Sequence, residues 1–371
     1  MTDLGIYVHV PFCKKKCGYC DFCSVTDCDL ADAYTERICA DIAKAGGEHS
    51  ATVDSIYFGG GTPTVIGKRL ITILDTIKAA FTLSDNCEIT VEANPATADF
   101  ELLEALYNAG VNRLSVGIQS SDDGELKTLG RIHDFTDAVR LIISAKAAGF
   151  TDISGDIMLA IPGQTFDTLA HTVSTVASLG LTHISAYLLK IEPNTPFAKN
   201  PPENLPDDEE AAQMYLFTLR LLEKMGYKRY EISNFALPKH ECRHNLRYWN
   251  LGDYIGFGPS AHSLINSRRL AVTGSVQEYI DGKSVIETRD NGGDLLEYVM
   301  LSLRTSTGLN VEKTEQRFGV SFKESDMTKA LIENGYLSFT DNTLVLTDIG
   351  ILVSNGIIAE ISECFLPQKM N

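Results

Sequence analysis

Cys13, Cys17 and Cys20 are spaced C-x3-C-x2-C, directly after a short apolar run near the start of the chain. Three thiolates on one short loop form a donor set for a soft metal centre. An iron–sulfur cube normally takes four cysteines, one for each iron. A set of three leaves one iron with an open position, where a small molecule could bind and be reduced. Disulfides and zinc are the competing uses of cysteines this dense. The chain has 9 cysteines in 371 residues, and residues 1–12 lack a charged n-region followed by an apolar h-region. A reducing compartment is therefore expected, and disulfides are not. Zinc prefers paired C-x2-C or Cys/His knuckles a dozen or more residues apart, and no second knuckle follows. The motif reads as an iron–sulfur site. Cys23 continues the C-x2-C spacing, but the run does not close as C-x3-C-P, so Cys23 reads as a neighbour rather than a ligand.

The elements that must position this loop alternate between short apolar strands and amphipathic helices. Strands are expected over 4–10, 53–58, 88–92, 113–118, 152–159 and 183–189, with a last one over 229–232. Helices are expected over 30–45, 68–81, 99–109, 122–129, 135–148, 165–179 and 209–225. Such alternation implies a parallel sheet covered by helices. Six or seven units are too few for a closed eight-stranded barrel and enough for a partial one; a doubly wound sheet is the competing arrangement. The unusual residues decide for the partial barrel, because they fall at carboxyl ends of strands, where barrels build their sites. They are Tyr7 and His9 with the cysteine loop, Gly59-Gly60-Gly61-Thr62-Pro63, Glu92, Gln119 and Asp156. Each alone could be a helix cap or a surface group. Together, at equivalent places, they predict one cavity. The glycine triplet lets backbone approach a ligand closely; it lacks the Gly-Lys-Ser/Thr of a P-loop and the G-x-G-x-x-G of a dinucleotide fold.

Bulk properties set wider limits. Hydrophobic content of 44% and charged content of 22% describe an ordinary globular protein, and the length suggests two or three domains, or one barrel with an appendage. The net charge of −17 argues against a nucleic-acid backbone as partner. No apolar run approaches the ~20 residues that span a bilayer, and a cytoplasmic location is expected. The tail departs from the strand–helix alternation. Helices are expected over 294–302, 311–318 and 324–334, then a hairpin over 335–346 turning at Asp341-Asn342. This pattern suggests a winged-helix-like unit without a basic stripe, suited to a lid or a protein contact rather than DNA.

The cysteine motif joined to Gly59-Gly60-Gly61-Thr62-Pro63 resembles the radical S-adenosylmethionine (SAM) enzymes. Tyr7-Val-His-Val-Pro-Phe-Cys13, Cys20-Asp-Phe22 and Val91-Glu-Ala-Asn-Pro95 resemble the oxygen-independent coproporphyrinogen oxidase-like family within them. Ile232-Ser-Asn-Phe235 and the run from Glu241 to Gly258 are similar to that family's heme-chaperone branch. The resemblance implies an α/β fold, a partial (βα)6-type TIM barrel with a C-terminal helical, winged-helix-like domain. The expected divisions are 1–235 for the barrel, 236–290 for a connecting segment and 291–371 for the C-terminal domain.

It further implies that Cys13, Cys17 and Cys20 ligate a [4Fe–4S] cluster whose fourth iron chelates SAM. Tyr7, Gly60 and Glu92 match positions that contact this SAM. Gly61, Thr62, Gln119, Arg131 and Asp156 match positions that hold a second SAM in the related oxidases, and Tyr19 does so more loosely. The implied chemistry is one-electron reduction of SAM to methionine and a 5′-deoxyadenosyl radical. His244-Asn245-x2-Tyr248-Trp249 resembles a heme-associated motif, which makes His244 the expected heme ligand and Cys242 its thiolate alternative; a buried structural histidine is the plain alternative. The oxidases carry a substantial N-terminal arm, whereas here the motif begins at residue 7, so heme delivery is expected over coproporphyrinogen oxidation. Implied partners are heme, a reductant protein such as flavodoxin or ferredoxin, and heme-accepting proteins, some membrane-associated, with no nucleic acid.

Overall fold

Each of the first six strands hands the chain to a helix that buries one stripe of apolar side chains against the outside of the sheet. The computed structural model describes residues 3–47 and 51–367; the outer ends of the segments expected at 1 and at 371 lie outside the described residues. The strands are β1 (Asp3–Val10), β2 (Thr52–Gly60), β3 (Thr82–Ala93), β4 (Arg113–Gln119), β5 (Asp152–Leu159) and β6 (His183–Leu188). Between and after them run α1 (Ala31–Gly46), α2 (Arg69–Ala80), α3 (Phe100–Asn108), α4 (Asp123–Thr128), α5 (Phe135–Ala148), α6 (Phe166–Ser178), α7 (Pro196–Lys199) and α8 (Asp208–Lys224). Helix α2 is typical: Leu70, Ile73, Leu74 and Ile77 recur at three- and four-residue steps and are all buried. Side-chain caps start several of these helices, among them Asp134 on α5 and Asp207 on α8, each closing a capping box.

The six strands lie in sequential order, each parallel to the next. A doubly wound sheet would reverse its order at a switch point; none occurs here, and the partial barrel stands. Both edges of the six-stranded wall are extended by antiparallel additions. Beyond β6 lies the hairpin β7 (Lys228–Arg229) and β8 (Asn234–Ala236), β8 running antiparallel to β6. The seventh strand expected over 229–232 is thus a hairpin, not a further parallel unit. Beyond β1 lie β9 (Tyr254–Phe257), β10 (His262–Ile265), β11 (Arg268–Thr273) and β12 (Val285–Asp290). β9 pairs parallel with β1, and the rest continue as a meander. Residues 236–290, expected as a connection, therefore build four strands into the main sheet. They also supply α9 (Arg243–Trp249) and α10 (Val276–Ile280).

The tail follows the expected pattern and adds to it. Helices α11 (Leu295–Leu303), α12 (Val311–Phe318) and α13 (Asp326–Glu333) precede a hairpin whose turn residues Asp341 and Asn342 both have positive φ, 49° and 59°. That is the conformation of a two-residue hairpin turn. In chain order the small strands are β13 (Leu309–Asn310), β14 (Val320–Phe322), β15 (Leu337–Thr340), β16 (Thr343–Leu346) and β17 (Phe365–Pro367). Two closing helices, α14 (Asp348–Leu352) and α15 (Ser354–Glu363), complete it; α15 buries Ile357, Ile358 and Ile361. No helix of the described residues is long and apolar enough to cross a membrane.

Candidate functional site

Alternation along the strands turns every second side chain of β1 to β6 into the barrel, and those side chains are polar. Tyr7, Tyr57, Glu92, Ser115, Asp156 and Ser185 come from six successive strands and line one inner cavity of ≈ 300 Å³. Barrels of this kind usually fill their interior with branched apolar residues; this one is hollow and hydrogen-bonded. Helix α9 contributes His244, Asn245 and Tyr248 to its lining, and Cys242, which caps that helix, joins them. A second cavity, ≈ 330 Å³, shares Glu92, Ser115, Asp156 and Tyr187 with the first and is lined by Cys13, Cys17 and Cys20. Gly60, Gly61, Thr62, Gln119 and Arg131 also line it. Of the strand-end residues expected to converge, Gly60, Gly61, Thr62, Glu92, Gln119 and Asp156 line this cavity and Tyr7 lines the inner one, whereas His9 lines neither.

The cysteine loop is pinned from several sides. Gly61 N–H donates to Val10 O at 2.9 Å and Thr62 N–H to Phe12 O at 2.7 Å, tying the glycine run to the base of the loop. A Cβ on Gly61 would lie 2.7 Å from Phe12 O and 2.9 Å from Phe12 N. On Gly60, whose φ is 110°, it would meet the His9 ring at 2.6 Å. The glycines are thus required by the protein's own backbone and His9, in addition to any ligand. His9 Nε2 lies 2.8 Å from Cys23 O, and Tyr7 Oη lies 3.1 Å from His9 Nδ1.

Two sulfurs receive hydrogen bonds. Thr62 Oγ1 donates to Cys13 Sγ at 3.7 Å, and Arg131 Nη1 donates to Cys17 Sγ at 3.6 Å. Arg131 Nη2 also donates to Gly117 O at 2.8 Å and to Asn94 Oδ1, and Asn94 Nδ2 donates back to Thr62 Oγ1 at 2.6 Å. Hydrogen bonds to sulfur are one of the means by which proteins set cluster potentials. Burial pushes the thiols of Cys13 and Cys20 up from their ordinary value, so a metal arriving there displaces protons.

Among the described residues, no three His, Cys, Asp or Glu side chains gather as a single metal ion requires. Three thiols spread along one cavity wall suit a cube, in which each cysteine takes its own iron. The donor set fits the implied cluster. Cys23 lines a different cleft and not this cavity.

Two carboxylates face the shared part of the cavities. Tyr57 Oη donates to Glu92 Oε1 at 2.8 Å. Burial lifts the Glu92 carboxyl to about 7 against that hydrogen bond, and the nearby Asp156 charge adds to the rise. Asp156 accepts from Ser115 Oγ at 3.2 Å on both oxygens; burial raises its carboxyl, and bonds from Ser185 and Ser115 oppose the rise. Gln119 is held with φ of 70°, at a bulge where β4 skips a residue against β5. Strain of this kind recurs at functional sites.

His244 has a different setting. Its ring is 1% exposed, with Nδ1 3.0 Å from Ser55 Oγ and Nε2 2.8 Å from Tyr248 Oη. Burial drops its pKa to about 3. Both ring nitrogens are occupied inside the protein. Cys242 is buried as well, its thiol pushed up to about 12 by burial and its Sγ 3.5 Å from Glu88 Oε1. Tyr57 and Asn94 went unnoticed in the sequence. The signal for Tyr57 was its place two residues before Gly59 in an alternating strand, and for Asn94 its place in Glu92-Ala-Asn-Pro95.

Comparison with known proteins gives consistent matches. The radical SAM superfamily model matches residues 7–176, and the HemN C-terminal domain model matches residues 294–353. The chain is 35% identical over 370 residues to the heme chaperone HemW of Bacillus subtilis, covering 95% of this chain and 97% of that one. It is 32% identical over 385 residues to the HemW of Haemophilus influenzae, covering 100% and 99%. Among solved structures, Escherichia coli coproporphyrinogen III oxidase HemN superposes with a TM-score of 0.82 at 22% identity, covering 98% of this chain and 90% of that one. The last match establishes a shared fold.

Proposed function

We propose, from the premise that this chain belongs to the HemW heme-chaperone family of the radical SAM superfamily, that it holds a [4Fe–4S] cluster and SAM, binds heme and delivers it to acceptor hemoproteins. The observation that carries the reading is that Cys13, Cys17 and Cys20 share one cavity with Glu92, Gln119, Arg131 and Asp156.

Bound there, the cluster would supply single electrons to SAM. The chain's own residues do the rest. Glu92 and Asp156 accept hydrogen bonds from a ribose diol or an amino group, and the Gly60–Gly61 backbone leaves room for the ligand. Tyr7 closes the wall beside Glu92. Residues 1–235 are assigned as the barrel, 236–290 as the segment that leads to the tail and adds β9 to β12 to the barrel's sheet, and 291–371 as the C-terminal domain. The last is read as a protein contact, with no nucleic acid. A reductant such as flavodoxin or ferredoxin and heme acceptors, some at membranes, are the partners.

Anaerobic reconstitution tests the reading: iron counting, electron paramagnetic resonance with and without SAM, then heme titration and transfer to an apo-hemoprotein. About four irons per chain, a signal altered by SAM, and heme transfer support it. Formation of protoporphyrinogen from coproporphyrinogen III under the same conditions would replace it with an oxidase.

A further inference from the structure

On the outer side of the cysteine loop lies a third cavity, an open cleft of ≈ 520 Å³, larger than either barrel cavity. Its volume is within the range of small-molecule sites. Tyr7, His9, Asp21, Phe22 and Cys23 form one wall, and Tyr248, Tyr254, Ser260 and His262 the other. Phe22 is 62% exposed, an unusual position for so large an apolar ring. Tyr248 and Tyr254 stand edge to face, with centroids 4.6 Å apart. Ser260 is held at φ of 61°, a strained conformation for a serine.

Four aromatic side chains, two imidazoles and one thiol therefore face a single open slot, with the Asp21 carboxylate and the Ser260 hydroxyl beside them; the His9 ring is taken up by Tyr7 and Cys23. The His262 imidazole is exposed and makes no hydrogen bond or ion pair. Its pKa lies below the ordinary value, through partial burial and then the nearby Arg289 and Arg269 guanidiniums. It is thus held in the neutral form that binds metal. Both guanidiniums are themselves paired, Arg269 with Asp290 and Glu297 and Arg289 with Glu287.

We infer that this cleft seats heme, with His262 as axial ligand and the aromatic rings against the macrocycle. The assignment rests on the heme-chaperone reading. His244, the expected ligand, then acts at one remove: its Nε2 fixes the hydroxyl of Tyr248, whose ring forms part of the cleft wall. His244 is a positioning residue here.

The test is hemin titration of the reconstituted full chain, wild type against His262→Ala, His244→Gln and Cys23→Ser. Iron content and far-ultraviolet circular dichroism serve as fold controls. Loss of an outer-shell partner of a metal ligand already costs about 10–100-fold, so His262→Ala is expected to weaken binding by at least about tenfold and to shift the Soret band. Added imidazole should restore the wild-type spectrum. His262→Met should keep heme with a moved Soret maximum, which preserves the test if the alanine variant fails to fold. His244→Gln and Cys23→Ser should keep the wild-type ligand signature. An unchanged Soret band and affinity in His262→Ala, or a ligand change in Cys23→Ser or His244→Gln, overturns this site and leaves the chaperone reading standing. No heme binding by wild type overturns both.

Discussion

Tyr57 and Glu92, on adjacent strands, form a 2.8 Å hydrogen bond that fixes a carboxyl group between the two barrel cavities. Burial outweighs that bond, so the Glu92 carboxyl titrates at about 7 against an ordinary 4.5. Its folded-state pKa is raised, so its contribution to stability is fully present below 4.5 and is lost as pH rises through about 7. Glu92→Gln should remove this dependence. The variant's stability gain over wild type is expected to grow between pH 5 and pH 8, to at most about 3 kcal/mol. The same variant should bind SAM about tenfold more weakly, because a charged acceptor is replaced by a neutral one. Melting curves across pH and a SAM titration check both.

Cys13→Ser, Cys17→Ser and Cys20→Ser should each abolish a stable cluster after reconstitution, whereas Cys23→Ser should keep about four irons per chain. Cys23 lines the outer cleft and not the thiol cavity. Iron counting on the four purified variants decides the matter. A Cys23→Ser protein that loses iron like the other three would make it a ligand.

Gly61→Ala forces a methyl group onto the backbone of Phe12, which cannot move without shifting the cysteine loop. The expected cost is about 1–3 kcal/mol, as for overpacking in a tight interior. The lesion should also reduce iron retention, because the clash lies at the base of the metal loop. Chemical denaturation and iron content are the paired measurements.

Acid should destabilise the protein through its buried neutral histidines. Burial is the first cause in each: His9 and His183 lie below the ordinary value, His133 at about 4 and His244 at about 3. A depressed folded-state pKa means that stability is present above about 6.5 and lost as pH falls toward those values. Glu92 runs the opposite way between 4.5 and 7 and offsets roughly one of the four protons. His244→Gln should reduce the slope of stability between pH 4 and pH 6 by about one proton. It should also cost about 1–3 kcal/mol at pH 7, through the contacts to Ser55 and Tyr248. A slope equal to wild type would mean that His244 is not held neutral.

The strand ends were readable in the sequence because polar residues and glycines interrupt apolar runs there, and five such interruptions indicated a barrel. Local pattern also located the tail hairpin, since Asp341-Asn342 suits the positive φ its turn requires. Pairing partners were not readable. Strand β9 joins β1 from some 250 residues away, through short mixed runs whose periodicity names no neighbour. The segment at 229–232 alternates charged with apolar residues as a strand does, but nothing local states that the chain doubles back as β7 and β8. Tyr57 reads as another β-forming aromatic until the Glu92 carboxyl is placed opposite it. His244 shows the same limit: its residue type suited a ligand, and only its two hydrogen bonds reveal that its nitrogens are already taken.

The cysteine loop separates the thiol cavity from the outer cleft and gives Phe22 to both. Cys20 faces the thiol cavity and Cys23 faces the outer cleft, with only Asp21 and Phe22 between them, a span of at most about 10 Å even when extended. The His9 imidazole braces that loop by holding the Cys23 carbonyl. A displacement on one side of the loop therefore has only this short, braced stretch of backbone to absorb it before it reaches the other.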